Sequence, residues 1–533
     1  MTMTRTTLRL STVLIASLLA LPAAAQKKSG MKFAPDPVKS APATGPASKT
    51  LERALKLYEN EDYYSASIEL HKVIEGESGD SEANKQRGEF WMGKTLYNLK
   101  FYSASLSYFD RIVQKGPAHS YYNATLKWLS SLSRVLPDSA GILEKIGKYN
   151  KGELEQPALE SVRNELYYLL GRYFYTQGKF KEAVDLFAQV PLDSEFFVKA
   201  KFFEGVTHVR ERDGKGAAES FKDILRKNQE KPDKSTEEFV DVANLALART
   251  FYSTGQFQTA VKYFEKIGQD SPDWLPSLFE SSWAYFQLGA AGYSKALGNI
   301  HTLNAPFFEN EFFPESLILK SVIYFYNCLY DKSQEALNEF AEVYPSLKKD
   351  IDDLLARHPD NSELNEYATK IREGTAGLPD KVERAARGVL QDRTLLKQLA
   401  YVEELERELK QVESAEPAWK STAVAANILQ DLTLQKSLSG NEVGKLARER
   451  LQRLSAEIGE FEKQRLKIEF EILNAQKGQL TQDVMSEQET KPNIQQPRNF
   501  IADDEHEYWP FVGEYWKDEL GYYRVRVASQ CRR

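Results

Sequence analysis

Two cysteines, Cys328 and Cys531, carry the most definite chemistry in this 533-residue chain. Three outcomes are open for them: a bond to each other, a bond from Cys531 to another subunit or partner, or two free thiols. A bond within the chain would tie its C-terminal end back to the body. The six His, at 71, 119, 208, 301, 358 and 506, never fall two to a helical turn, and their spacing proposes no metal site. Neither His-Glu-x-x-His nor Gly-x-Ser-x-Gly occurs, and Gly214-Lys215-Gly216 lacks the strand and spacing of a phosphate loop. Carboxylates are too numerous for any acid–base pair to be singled out. The expectation is a protein with no catalytic residues, no metal and no cofactor. An envelope enzyme with an unrecognised site is the weaker alternative.

What, then, does the chain position? Its length and 42% hydrophobic content allow more than one cored domain, and its net charge of −7 argues against nucleic acid as a partner. Residues 1–25 read as a signal peptide cleaved after Ala25: Arg5 and Arg9, then the apolar run Leu10 to Leu21, then Ala23-Ala24-Ala25. That run has 12 residues, and a span needs about 20. Removing two positive charges gives −7 − 2 = −9 for the mature chain, expected to be periplasmic, with membrane association only through partners. Residues 26–48, with Pro35, Pro37, Pro42 and Pro46, read as a disordered linker.

From 49 to 345 the chain repeats itself. Gly or Ala is followed 12 residues later by Ala, and 4 later by a large apolar residue: Ala54, Ala66, Leu70; Gly171, Ala183, Phe187; Gly205, Ala217, Phe221; Ala248, Ala260, Phe264; Ala284, Ala296, Ile300. Small residues let two antiparallel helices approach, the large one fills the space beside them, and Gly178 and Gly255 suit the turn between. The pattern loses a residue around Ala104, its turn lengthens around Ala336 and Phe340, and Asn123 to Glu160 fits it poorly. The matches Leu170-Gly171, Phe174, Gly178, Phe180, Ala183 and Phe187, and again Leu247-Ala248, Phe251, Gly255, Phe257, Ala260, Phe264 and Pro272, resemble the tetratricopeptide repeat (TPR).

The resemblance implies an all-α solenoid in which the first helix of each pair lines the concave face. That face would carry Tyr168, Arg172 and Tyr175, then Phe202, Val206, Val209 and Arg210, then Arg249, Tyr252, Tyr285 and Leu288. Arg and Tyr in equivalent places suit an extended peptide segment, held by stacking and carboxylate contacts.

After Pro345 the character changes. Residues 346–486 read as a long-helix, coiled-coil-like module. One long helix is expected over Lys381 to Val412, broken at Glu416-Pro417; a shorter one over Ala418 to Leu438; and another long one over Val443 to Leu473. Residues 487–501 read as a linker, and 502–533 as an aromatic tail bearing Trp509, Phe511, Tyr515, Trp516, Tyr522 and Tyr523, with strand-like alternation from Tyr523 to Val527. The tail either caps the solenoid or serves as a docking tag. Repeats, charged helices and the Trp-Pro-Phe-x-Gly-Glu-Tyr-Trp tail together resemble TPR scaffolds of gliding-motility complexes. The functional expectation is an envelope scaffold that binds envelope proteins, with a periplasmic chaperone or carrier of extended clients as the alternative. Oligomeric state is not legible.

Overall fold

The computed structural model describes residues 46–308, 311–485 and 510–531; the signal peptide, nearly all of the first linker, the second linker and Trp509 lie outside them. Among the described residues every regular element is helical, and the strand expected near Tyr523 is an extended segment instead.

The first helices are α1 (Lys49–Glu59), α2 (Tyr63–Glu75), α3 (Glu82–Asn98), α4 (Tyr102–Lys115) and α5 (Tyr122–Ser133). An irregular stretch with the short α6 (Ile142–Ile146) and α7 (Lys151–Leu154) follows, as the poor repeat match there anticipates. Regular hairpins resume with α8 (Arg163–Thr176) and α9 (Phe180–Phe187), then α10 (Phe197–Arg210) and α11 (Gly214–Glu230). They continue as α12 (Lys234–Ser253) and α13 (Phe257–Phe264), α14 (Trp274–Gln287) and α15 (Tyr293–Leu303), and α16 (Pro314–Tyr326) and α17 (Tyr330–Arg357). The last helices are α18 (Asn361–Glu373), α19 (Asp380–Val389), α20 (Arg393–Ser414), α21 (Pro417–Lys420) and α22 (Ala423–Met485).

The small–large pattern is the contact that closes each hairpin. A Cβ on Gly171 would stand 2.6 Å from the Phe187 ring, and one on Gly205 2.5 Å from Phe221. The two stretches read as degraded obey the same rule with serine as the small residue. In α3–α4 the set is Gly93, Ser105 and Phe109: a Cβ on Gly93 would lie 2.7 Å from Phe109, and the Ser105 hydroxyl donates to the Gly93 carbonyl at 2.8 Å. In α16–α17 the set is Ser321, Ser333 and Leu337, all buried, with the Ser333 hydroxyl donating to the Ser321 carbonyl at 2.9 Å. A buried hydroxyl that finds a carbonyl costs little, so serine serves where alanine does.

Seven positions after the small residue the turn enters the left-handed region in every one of these hairpins but that of Ala284, where Gly289 does so. Gly178 and Gly255 do so freely, but Glu61, Lys100, Arg212 and Cys328 stand there as well, with φ of 61°, 64°, 64° and 56°. Each costs on the order of 1 kcal/mol relative to glycine, tolerated because the turn's backbone bonds fix the geometry. Phe101 N–H to Leu96 at 2.9 Å and Leu329 N–H to Tyr324 at 3.0 Å are two of these.

The division expected near residue 346 is not found. One compact unit joins the repeats through Phe239 with Arg393–Val443; the other joins Val240–Asp392 with the chain from Gly444 onward. Three expected boundaries also move. α17 runs through Pro345, the helix expected from Lys381 breaks between Val389 and Arg393, and Ala418–Leu438 and Val443–Leu473 fuse into the 63-residue α22. Gly440 inside that helix costs about 1 kcal/mol, which burial of Val443, Ala447 and Leu451 outweighs.

Candidate functional site

In the first unit, α20 and α21 lie across the turn between α3 and α4 and satisfy both open helix ends. Just past the end of α3, the Lys100 carbonyl accepts from Arg407 at 2.8 Å and that of Leu99, its C-cap, from Gln411 at 2.7 Å. The first amides of α4 donate to the Glu408 carboxylate, Ser103 N–H at 2.6 Å and Ala104 N–H at 3.3 Å. Phe101, at the N-cap of α4, offers no side-chain acceptor, so Glu408 supplies from 300 residues away what a local Ser or Asp usually supplies. An acid at the N-terminus and a cation at the C-terminus also match the two helix dipoles. A few residues on, the Trp419 indole N–H donates to Ser67 Oγ at 3.0 Å, with its ring against Tyr64 and stacked on Phe101.

Glu408 is fully buried, and burial, with Glu404 nearby, pushes its carboxyl up to about 7 despite the two amides. A carboxyl raised above its unfolded value gives stability that is complete below about pH 4.5 and is lost as pH rises toward 7. Glu408→Gln is therefore expected to gain on the wild type by up to about 1.4 kcal/mol per pH unit over that window, and not above it. Denaturant titrations at pH 5, 6, 7 and 8 measure this; parallel stability curves for the two chains would refute it.

The Arg and Tyr positions expected on an open concave face are largely spoken for. Phe202 and Tyr168 are 1% and 4% exposed and belong to the core, and Tyr175 is buried. Arg172 makes a two-pronged pair with Asp138 at 3.0 and 2.9 Å and lies over the Tyr168 and Phe203 rings. Asp138 also accepts Lys397 of α20 at 2.6 Å; burial pushes its carboxyl up, but Arg172 and Lys397 hold it well below the usual carboxylate range. Arg210 is exposed. In the second unit, Arg249 is buried and pairs with Glu280 at 2.8 and 2.5 Å, clamping α12 to α14. Tyr252 and Tyr285 are half-buried, the Tyr285 hydroxyl bonding Glu265. The expected row of gripping arginines is thus a pair of internal clamps. Glu280 comes from the next hairpin, and Asp138 from the irregular stretch before α8.

The tail, also in the second unit, packs along α15. Leu520 is buried beside Trp274 and Leu278; Val525 N–H donates to Ser294 at 3.1 Å, Lys295 Nζ to the Gly521 carbonyl at 2.5 Å, and Gly521 N–H to Thr302 Oγ1 at 3.0 Å. Cys328 and Cys531 form a disulfide, at the α16–α17 turn. Phe511, Tyr515 and Tyr523 surround the His301 ring, which burial and Lys320 keep below its usual pKa. A cavity of about 510 Å³ opens beside it, lined by His301, Lys320, Glu339, Tyr344 and Tyr515. Trp516 and Tyr522 point outward, 57% and 61% exposed. The tail thus covers the flank of internal hairpins, and α18 and α19 follow the last of these in the chain.

Sequence reasoning missed Glu408, Trp419 and Leu520. Glu408 is one acid in a charged helix and carries no local signal; Trp419 directly after a Glu-Pro break could have been noticed. Among the described residues no cluster of His, Cys, Asp or Glu could hold a metal, and no helix is long and apolar enough to cross a membrane. Compared with protein-family models and with curated proteins, the chain matches none.

Proposed function

We propose that this chain is an exported TPR-type scaffold of the bacterial periplasm, without catalytic activity, that holds envelope proteins together through its C-terminal tail. The observation that carries the reading is how the tail is held. A disulfide, backbone bonds and buried Leu520 fix it, yet Trp516 and Tyr522 are kept in solvent. Large aromatics presented on a fixed backbone bind at small entropic cost and are the residue types that dominate interface energy. A long-range disulfide also suits an oxidising compartment, in keeping with the signal-peptide reading. Stacked helix hairpins are a common basis for protein–protein binding, and Arg210 is an exposed position of the expected concave face.

The test is a pull-down of the mature chain from crosslinked envelope, beside a Trp516→Ala/Tyr522→Ala variant. A fixed set of proteins, at least 10-fold depleted for the variant with unchanged melting, is the expected result. A heterogeneous smear of clients would favour a chaperone, and recovery of wall polymer an enzyme.

A further inference from the structure

The cavity beside His301 lies within the second unit, where α15, α16, α17 and the tail all contribute to its lining. Leu297 and Ile300 of α15 and Leu317 of α16 give it a buried apolar floor. Tyr344 of α17, with Tyr515 and Val525 of the tail, completes the walls. Its volume of about 510 Å³ is in the range of small-molecule and side-chain sites. Charge decides what such a cleft accepts. Lys320 is the cation of the lining, and both Glu339 oxygens already hold it, at 3.0 and 2.9 Å. His301 adds no second positive charge at pH 7, because burial and Lys320 keep its pKa below the usual value. Glu342 lines the cavity, is exposed to solvent, and has neither cation nor hydrogen-bond donor among the described residues. The Tyr344 hydroxyl likewise has no partner there, and burial alone pushes it up to about 12. Ammonium groups already collect on the rings of this lining: Lys332 Nζ lies 5.8 Å from the centroid of Tyr324.

We propose that this cavity binds an alkylammonium group of the kind a lysine side chain bears, with its stem on the apolar floor and its charge at Glu342. A lysine stem is itself apolar and suits the leucine and isoleucine beneath it, while its ammonium stays at the wetter edge with the carboxylate. Tyrosine rings favour a cation over a neutral group of the same shape. An anion would have to break the Lys320–Glu339 pair and would then face Glu342, a like charge. Because Tyr515 and Val525 belong to the tail, the site is complete only while the tail is docked. A bound amine therefore stabilises the docked tail by mass action. Neither Trp516 nor Tyr522 lines the cavity, so this site and the outward aromatics stand or fall separately.

The probe is Nα-acetyl-lysine amide, titrated into the full chain at pH 7 by calorimetry or NMR, with saturable binding expected at about millimolar concentration. The Nε-acetylated form, which lacks the charge, should bind at least 10-fold more weakly. Glu342→Gln should weaken the probe at least 5-fold, and Lys320→Met should tighten it at least 2-fold by removing a like charge and freeing Glu339. Neither side chain belongs to the core, so melting should not change in either variant. At ten times the dissociation constant the probe should slow exchange of the Val525 amide about 10-fold, which locates it under the tail. n-Butylammonium carries the shared chemistry alone: tighter binding of the blocked lysine assigns the natural ligand to a protein segment, and tighter binding of the simple amine to a small molecule. No saturation, equal binding of the acetylated form, indifference to Glu342→Gln, weaker binding in Lys320→Met, or unchanged Val525 exchange would each overturn the proposal.

Discussion

Trp419→Ala is expected to destabilise the unit built on the first repeats by about 3–5 kcal/mol, the range for deleting a buried indole. The side chain is nearly inaccessible, its ring stacks on Phe101 at 5.9 Å and meets Tyr64 edge-on at 5.1 Å, and its N–H is satisfied by Ser67. The loss has two parts that separate cleanly. Trp419→Phe keeps most of the ring contact but leaves the buried Ser67 hydroxyl without its donor, and should cost about 1–2 kcal/mol. The remainder is the cavity. Since two units unfold in one chain, the sharper measurement is hydrogen exchange at the Ser103 and Ala104 amides, which donate to Glu408 on the helix just before Trp419. If α20 and α21 are held on the turn by this anchor, those amides lose protection in Trp419→Ala while amides of α8 and α9 keep theirs. A destabilisation below about 1 kcal/mol would mean that the site collapses without penalty and the anchor is not one.

The contrast between Trp419 and the Gly–Phe contacts marks what a sequence of this kind discloses. Gly171 and Phe187 lie 16 residues apart and meet through one hairpin, so their spacing writes the contact directly into the chain. The same holds for Gly93 with Phe109, and Ser321 meets Ser333 12 residues on in the same way. Those repeats read as degraded because serine was not counted among the small residues, though its hydroxyl is absorbed by a carbonyl one helix away. The contacts that divide the chain into units have no period. Glu408 reaches α4 across some 300 residues, and nothing about one glutamate in a charged helix says which helix end it caps. The arginines show the intermediate case. Arg172 and Arg249 were legible as equivalent places in successive repeats, but their burial depends on Asp138 and Glu280, 34 and 31 residues away, which obey no repeat rule. The cysteine pairing was legible as a possibility because there were only two, and the structure joins them.

Gly298→Ala is expected to displace the tail while leaving the helix beneath it intact. Gly298 sits in α15, where a Cβ would stand 1.7 Å from the Tyr523 carbonyl oxygen and 2.4 Å from its carbon. Backbone cannot swing aside like a side chain, so one methyl group is incompatible with the docked tail. The helix itself gains, since alanine is better than glycine in a helix interior by about 1 kcal/mol. What is lost is the tail's attachment: the Val525 bond to Ser294, the Gly521 bonds to Lys295 and Thr302, and burial of Leu520. Burial of one leucine is worth about 1.5–3 kcal/mol and each bond about 1 kcal/mol net. Exchange of the Gly521 and Val525 amides should therefore accelerate by at least about 100-fold, a tenfold step being about 1.4 kcal/mol. The disulfide keeps the freed segment tethered, so trypsin cleavage after Arg524 should become fast without shedding the last residues from the unreduced chain. Gly478→Ala is the control, because nothing lies within 4 Å of a Cβ there. It should match the wild type at both amides and be slightly more helical. Unchanged protection of Val525 in Gly298→Ala would place the tail somewhere other than on α15, and with it the backbone that holds Trp516 and Tyr522 outward.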